Sequence, residues 1–144
     1  MILLDTNVLV YALDEESPHH HPSRAIVEGA LKRQLPGVLL PQILLEFYAV
    51  ITHPRRVRRP LDSKQAWHEV EQLRLGLPVL EAGVKALERL IGEDVRGADI
   101  FDAYLAAQMR TLGIGVICTY NIKDFERFTN LLAKRPEELL PAGS

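Results

Sequence analysis

The chain has 144 residues, 47% of them hydrophobic and 25% charged, with a formal net charge of -2. That balance is ordinary for a soluble globular protein, and the length supports reading residues 1–144 as one domain with a proper core. Near-neutrality excludes a global nucleic-acid signature, so any such binding rests on a local patch. A single cysteine, Cys118 in the apolar run Gly115–Cys118, excludes an internal disulfide and reads as a buried thiol in a reducing compartment. The sequence lacks an apolar span of about 18 residues, and its N-terminus lacks a basic region followed by a cleavage site, so a cytoplasmic protein is expected.

Three of the first four residues are aliphatic, enough for a short buried strand that ends on Asp5-Thr6-Asn7. A helix from Thr6 to about Leu13 is then capped from that turn. A strand that ends on a carboxylate just as a helix begins places the acid at the carboxyl edge of a sheet, where open α/β sheets bind ligands. Ser17 and Pro18 read as the N-cap and first position of a helix reaching about Leu35, where Pro36-Gly37 breaks it. The run His19-His20-His21 falls in its first turn, and consecutive helical side chains point in three directions, so an exposed turn is expected rather than a metal site.

Val38-Leu39-Leu40 forms a second short strand, and Pro41 opens a helix to about Thr52. Within it Glu46 is flanked by Ile43, Leu44, Leu45, Phe47 and Val50, although carboxylates are rarely buried without a partner. It either marks a narrow polar stripe with Gln42 and Ala49 or has a role of its own. Residues 53–60 are a proline-bounded basic loop with Arg55, Arg56, Arg58 and Arg59. Guanidinium forks suit phosphate oxygens, a solvated loop accounts equally for the charge, and the lack of interleaved aromatics gives no support for base stacking there.

Asp62 or Ser63 caps a helix to about Leu75 that carries Trp67, Val70 and Leu73. A short extended segment is expected at Leu77–Leu80. An amphipathic helix follows over Ala82–Gly92, with Val84, Leu87, Leu90 and Ile91 inward. The next helix, from Asp99 to about Met109, begins with two acids three apart, on one face near the positive end of the dipole. Asp99 suits an N-cap, whereas Asp102 precedes an almost wholly apolar stretch. Gly115–Cys118 is a buried strand that runs into Thr119-Tyr120-Asn121 and on to Asp124-Phe125, repeating the opening pattern, and a last short strand or turn is expected in the tail.

Asp5 and the 119–124 segment leave strands at one sheet edge, if the alternation of elements makes the strands parallel. Glu46 and Asp102 lie on the neighbouring helices. Carboxylates converging without cations repel one another in a poorly hydrated pocket. A hard divalent ion relieves that, and an all-oxygen donor set points to magnesium or manganese rather than zinc. Such acidic cages serve phosphodiester hydrolysis.

Taken together, Asp5-Thr6-Asn7, Glu46-Phe47, Asp102 to Ala107 and Thr119 to Phe128 resemble the PIN domain, and within it the VapC-type toxin ribonucleases. The resemblance spans nearly the whole chain in order. It implies a three-layer α/β/α fold with a central, mostly parallel sheet of four or five short strands. It also implies a Mg2+- or Mn2+-dependent endoribonuclease, usually homodimeric and held inactive by a VapB-like antitoxin. Carried over, Asp5 and Asp102 are principal metal ligands, Glu46 the third acid and Thr6 the residue that orients the cluster, supported by Asn7 and Thr119. Relatives differ over the fourth acid; the role is assigned to Asp124, with Asn121 as a polar neighbour, and Asp99 ranks below Asp102. In this light the arginine loop reads as an RNA or antitoxin contact. The competing reading is a catalytically silent PIN-like module that binds RNA or a partner protein; a receiver domain fits poorly, since no acceptor Asp on a central strand and late Lys are evident.

Overall fold

A computed structural model describes residues 1–142. Its centre is a four-stranded sheet built from β1 (Ile2–Leu4), β2 (Gly37–Val38), β3 (Val116–Cys118) and β4 (Leu132–Lys134) in the order β2-β1-β3-β4. Every pairing is parallel, and a lone parallel bridge between Leu39 and Val79 extends the β2 side, where a short extended segment was expected. Helices α1 (Thr6–Leu13), α2 (His20–Leu31), α3 (Pro41–Ile51), α4 (Ser63–Gly76), α5 (Val84–Glu88), α6 (Asp99–Leu112), α7 (Ile122–Phe125) and α8 (Pro136–Leu139) flank it. This is the expected α/β/α arrangement.

The strands are short aliphatic runs, and Leu3, Leu4, Ile117 and Cys118 are almost completely buried. Such runs suit a parallel sheet covered on both faces. Leu39 and Leu40 from the link between β2 and α3 join the same core, with Ile43 and Phe47 from α3 and Met109 from α6. Burial pushes the Cys118 thiol up to about 12, so it is an inert part of the core.

The strand order sets the position of the site. From β1 the chain crosses to β2 on one side, and β3 lies on the other. The connections therefore leave the carboxyl ends of β1 and β3 in opposite directions, which opens a crevice between them. Asp5 follows β1 and Thr119 follows β3, and the two turns are joined by a hydrogen bond from Asp5 N to the Cys118 carbonyl oxygen at 3.0 Å.

Three sequence expectations change. Helix α2 starts at His20 rather than Pro18, because Ser17 Oγ accepts from His19 N and closes a separate turn. It ends at Leu31, four residues early, in a Schellman-type cap with Arg33 at φ 60, where Arg33 N donates to Ala30 O and Gln34 N to Gly29 O. The histidine turn is only partly exposed: His20 is buried with Nδ1 2.9 Å from the Tyr11 carbonyl oxygen, and His19 stacks on Tyr120. Helix α5 is a five-residue remnant of the longer helix expected, and Val84, Leu87 and Ile91 are exposed rather than inward.

Helix α4 does start at the expected cap. Asp62 accepts from Gln65 N at 2.8 Å while the Gln65 side chain accepts from Asp62 N at 3.1 Å, which completes a capping box. Asp62→Ala is therefore expected to cost about 1 kcal/mol and to lower the melting temperature by about 3 °C.

Candidate active site

Asp5 is the structural pivot of the site. It is the N-cap of α1 and accepts from Thr6 N through Oδ1 at 2.8 Å. Its other oxygen accepts from Thr119 Oγ1 at 2.7 Å and Asn7 Nδ2 at 3.2 Å. Thr119 Oγ1 in turn accepts from Asn121 N and Asn7 Nδ2, while Asn7 Oδ1 accepts from Tyr120 N. The turns after β1 and β3 are thus laced into one network, and the carboxylate cannot swing. Asp5 is only 7% exposed. Burial pushes its carboxyl up to about 6, and the charges of Glu46 and Asp102 push the same way, against the opposing bonds from Thr119 and Thr6.

Glu46, Asp102 and Asp124 arrive at the same cleft from α3, α6 and α7, and with Asp5 they line a space of about 490 Å³. Glu46 Oε2 accepts from Thr6 Oγ1 at 3.0 Å, which ties it to the Asp5 turn. Asp102 is half-buried in the first turn of α6; its carboxyl is raised by burial and by Asp124, Glu46 and Asp99, with Arg127 acting in the opposite direction. None of the four lining acids makes an ion pair among the described residues. Four carboxylates that make no ion pair suit a hard divalent ion with oxygen ligands. The side chains stand apart as placed: among the described residues, no three His, Cys, Asp or Glu groups are drawn tightly enough to close on a metal. A magnesium-like ion keeps several of its waters, and a cleft of this size has room for a hydrated one.

The family model of the PIN domain matches residues 2–131, which includes all four of these acids. The chain belongs to the PIN domain family. Ribonuclease VapC48 of Mycobacterium tuberculosis is 31% identical over 140 residues, spanning 92% of this chain and 94% of that protein. Ribonuclease VapC24 of the same organism is 30% identical over 138 residues, spanning 89% and 91% respectively. Among solved structures, VapBC2 from Rickettsia felis bound to a promoter DNA fragment superposes with a TM-score of 0.64 at 19% identity, covering 94% of this chain and 98% of the matched one. The sarcin-ricin loop cleaving toxin VapC20 of M. tuberculosis matches with a TM-score of 0.60 at 19% identity, covering 86% and 92%. The VapC relatives bear out the resemblance read from the sequence; the superpositions bear out the fold.

Within the PIN cleft, Thr6, Asn7 and Asn121 also line the walls, and Thr119 lies buried behind Asp5. Asp99 is elsewhere. It is the first residue of α6, after an N-cap at Ala98, and it lines a neighbouring hollow with Arg127, whose guanidinium lies 3.9 Å from its carboxylate. The arginine loop divides. Arg56 reaches the cleft, Arg58 and Arg59 pair with Glu16 at 3.1 and 4.0 Å, and Arg55 is exposed. The sequence shows Gln42 only as part of a polar stripe and gives no sign of Gln108, yet both amides stand behind Glu46. Gln42 Nε2 donates to Glu46 Oε1 at 2.8 Å, and buried Gln108 donates to Gln42. The available signal was Gln42 one helical turn before Glu46.

Proposed function

We propose that this chain is a divalent-metal-dependent endoribonuclease that hydrolyses RNA phosphodiester bonds as the toxin of a toxin–antitoxin pair. In this reading residues 1–144 are one PIN domain, working as a cytoplasmic homodimer restrained by a VapB-like antitoxin. The observation that carries the activity is the set of four carboxylates, none ion-paired among the described residues, around one cleft at the carboxyl ends of β1 and β3. The names of the VapC ribonucleases support the choice of RNA, and the R. felis VapBC2 structure supports an antitoxin partner. No helix among the described residues is long and apolar enough to cross a membrane.

Asp5, Glu46, Asp102 and Asp124 are the residues that would hold Mg2+ or Mn2+. Such an ion supplies polarisation of the scissile phosphate, activation of water and charge stabilisation at the leaving oxygen. The chain's own groups do the positioning. The Thr6, Asn7 and Thr119 bonds fix Asp5 in one orientation, so little reorganisation is needed when charge develops nearby. Arg56 is the one loop arginine that reaches the cleft, where its fork can grip a flanking phosphate. Arg58 and Arg59, paired with Glu16, serve RNA or antitoxin contact further out.

The test is incubation of the folded protein with a broad panel of single-stranded RNAs in Mn2+, Mg2+ or EDTA. Discrete cleavage with either metal, absent in EDTA, is the expected result. Intact RNA across the panel with both metals would remove the catalytic reading and favour a silent RNA- or protein-binding module.

A further inference from the structure

Glu46 is held from two sides by neutral donors. Thr6 Oγ1 donates to Oε2 at 3.0 Å, and Gln42 Nε2 donates to Oε1 at 2.8 Å. Gln42 is itself fixed, because its Oε1 accepts from Gln108 Nε2 at 2.7 Å. Gln108 lies on α6, the helix that carries Asp102, and is only 4% exposed. A chain of hydrogen bonds between side-chain amides therefore runs from the buried side of α6, across Gln42, to a carboxylate in the cleft.

Two physical features make this chain more than packing. First, it has a polarity. An amide is a donor at one end and an acceptor at the other, and its orientation is set by the bonds around it. With the Gln108 amide donating to Oε1, the NH2 group of Gln42 is the end left to face Glu46. A reversed Gln42 would set its oxygen against a carboxylate, lone pair to lone pair. Second, the donors are uncharged. A lysine or arginine at position 42 would hold Glu46 equally well but cancel its charge, and a cation in the cleft would then compete with that partner. Glutamine fixes the carboxylate and leaves its negative charge available.

We propose that Gln42 and Gln108 are positioning residues: Gln108 orients Gln42, and Gln42 holds the Glu46 carboxylate ready for a divalent cation, which raises the affinity of the cleft for that ion. The inference rests on the metal-dependent reading above. Groups that orient a metal ligand typically contribute about 10- to 100-fold to metal affinity. Gln42→Met keeps the length of the side chain and removes the bond; it should weaken Mn2+ binding by about tenfold or more. Gln108→Met should act in the same direction, and because it works through Gln42, the double variant should bind no more weakly than Gln42→Met alone.

The experiment is Mn2+ titration by calorimetry on the purified wild type, both single variants and the double variant, with melting curves in EDTA and RNA cleavage across a Mn2+ series. Support consists of weakened Mn2+ binding with a metal-free melting temperature close to wild type. Cleavage by Gln42→Met should also recover toward the wild-type rate at saturating Mn2+, which a merely structural defect would not do. If the wild type binds Mn2+ and cuts RNA but Gln42→Met binds the ion within twofold of it, the inference falls and the ribonuclease reading stands. Additive losses in the double variant would overturn the relay from Gln108. A wild type that neither binds Mn2+ nor cuts RNA overturns both. Gln42 is only half-buried, so Gln42→Met keeps the test decisive should Gln108→Met fail to fold.

Discussion

Asp5→Ala and Asp102→Ala should each lower the rate of RNA cleavage by more than about a hundredfold, a bound set by the 10- to 100-fold cost of losing a group that merely orients a metal ligand. Asp5 is the stricter case, since its carboxylate is buried between the β1 and β3 turns and held by Thr6, Asn7 and Thr119. Loss of activity through unfolding is separable from this. Removing Asp5 strips an acceptor from three donors, at roughly 1–3 kcal/mol for each one left unsatisfied. It also removes a carboxyl whose net pKa rise, from 3.8 to about 6, reflects an unfavourable charge in the folded state. The two effects oppose each other. Initial rates measured beside melting curves in EDTA at pH 7.5 should therefore show Asp5→Ala inactive at temperatures where its own melting curve shows it folded. Retained cleavage by either variant would remove the acidic cleft as the catalytic centre.

How much of this was legible depended on the range of the interactions. Asp5 was readable because strand, acid and helix follow one another within seven residues, and the same pattern recurs at Thr119. The register that joins these turns is carried by bonds more than a hundred residues apart, such as Thr119 to Asp5, whereas the hydrophobic runs showed only that both strands are buried. Glu46 was ambiguous for a local reason. A glutamine one turn before it looks like the start of a polar stripe, and only the α3–α6 juxtaposition shows Gln42 to be a partner bridged to Gln108. The arginine loop divides for the converse reason: Glu16, about forty positions away, pairs with Arg58 and Arg59, while Arg56 lines the cleft. Helix α5 shows the limit of periodicity. Its apolar residues have helical spacing, but among its five residues only Ala86 is buried, so the expected apolar face is not a core face.

Metal-free stability should carry the signature of Asp5. Its folded carboxyl lies at about 6 against an ordinary 3.8, so between those values the folded state keeps a proton that the unfolded chain has released. Stability then declines with rising pH: the contribution is complete below the unfolded value and is lost as pH climbs through about 6. A rise of this size amounts to about 3 kcal/mol over that interval. Asp102, also raised, adds in the same direction. Glu71, lowered by its bond to Arg74, acts in the opposite sense, but it is fully exposed and screened by solvent. The Asp5 part is isolated by difference, because the wild type should lose melting temperature relative to Asp5→Ala as pH climbs from 4 to 7 in EDTA. Mn2+ should reverse the trend, since an ion can occupy the site only after the proton has left. Its stabilisation of the wild type should be largest above pH 7 and about tenfold weaker in apparent affinity one unit below the Asp5 pKa, as competition with a single proton requires. A wild-type minus Asp5→Ala difference that stays flat with pH would mean that Asp5 is not the raised carboxyl. A Mn2+ effect equal at pH 5 and pH 7.5 would place the ion somewhere other than against Asp5.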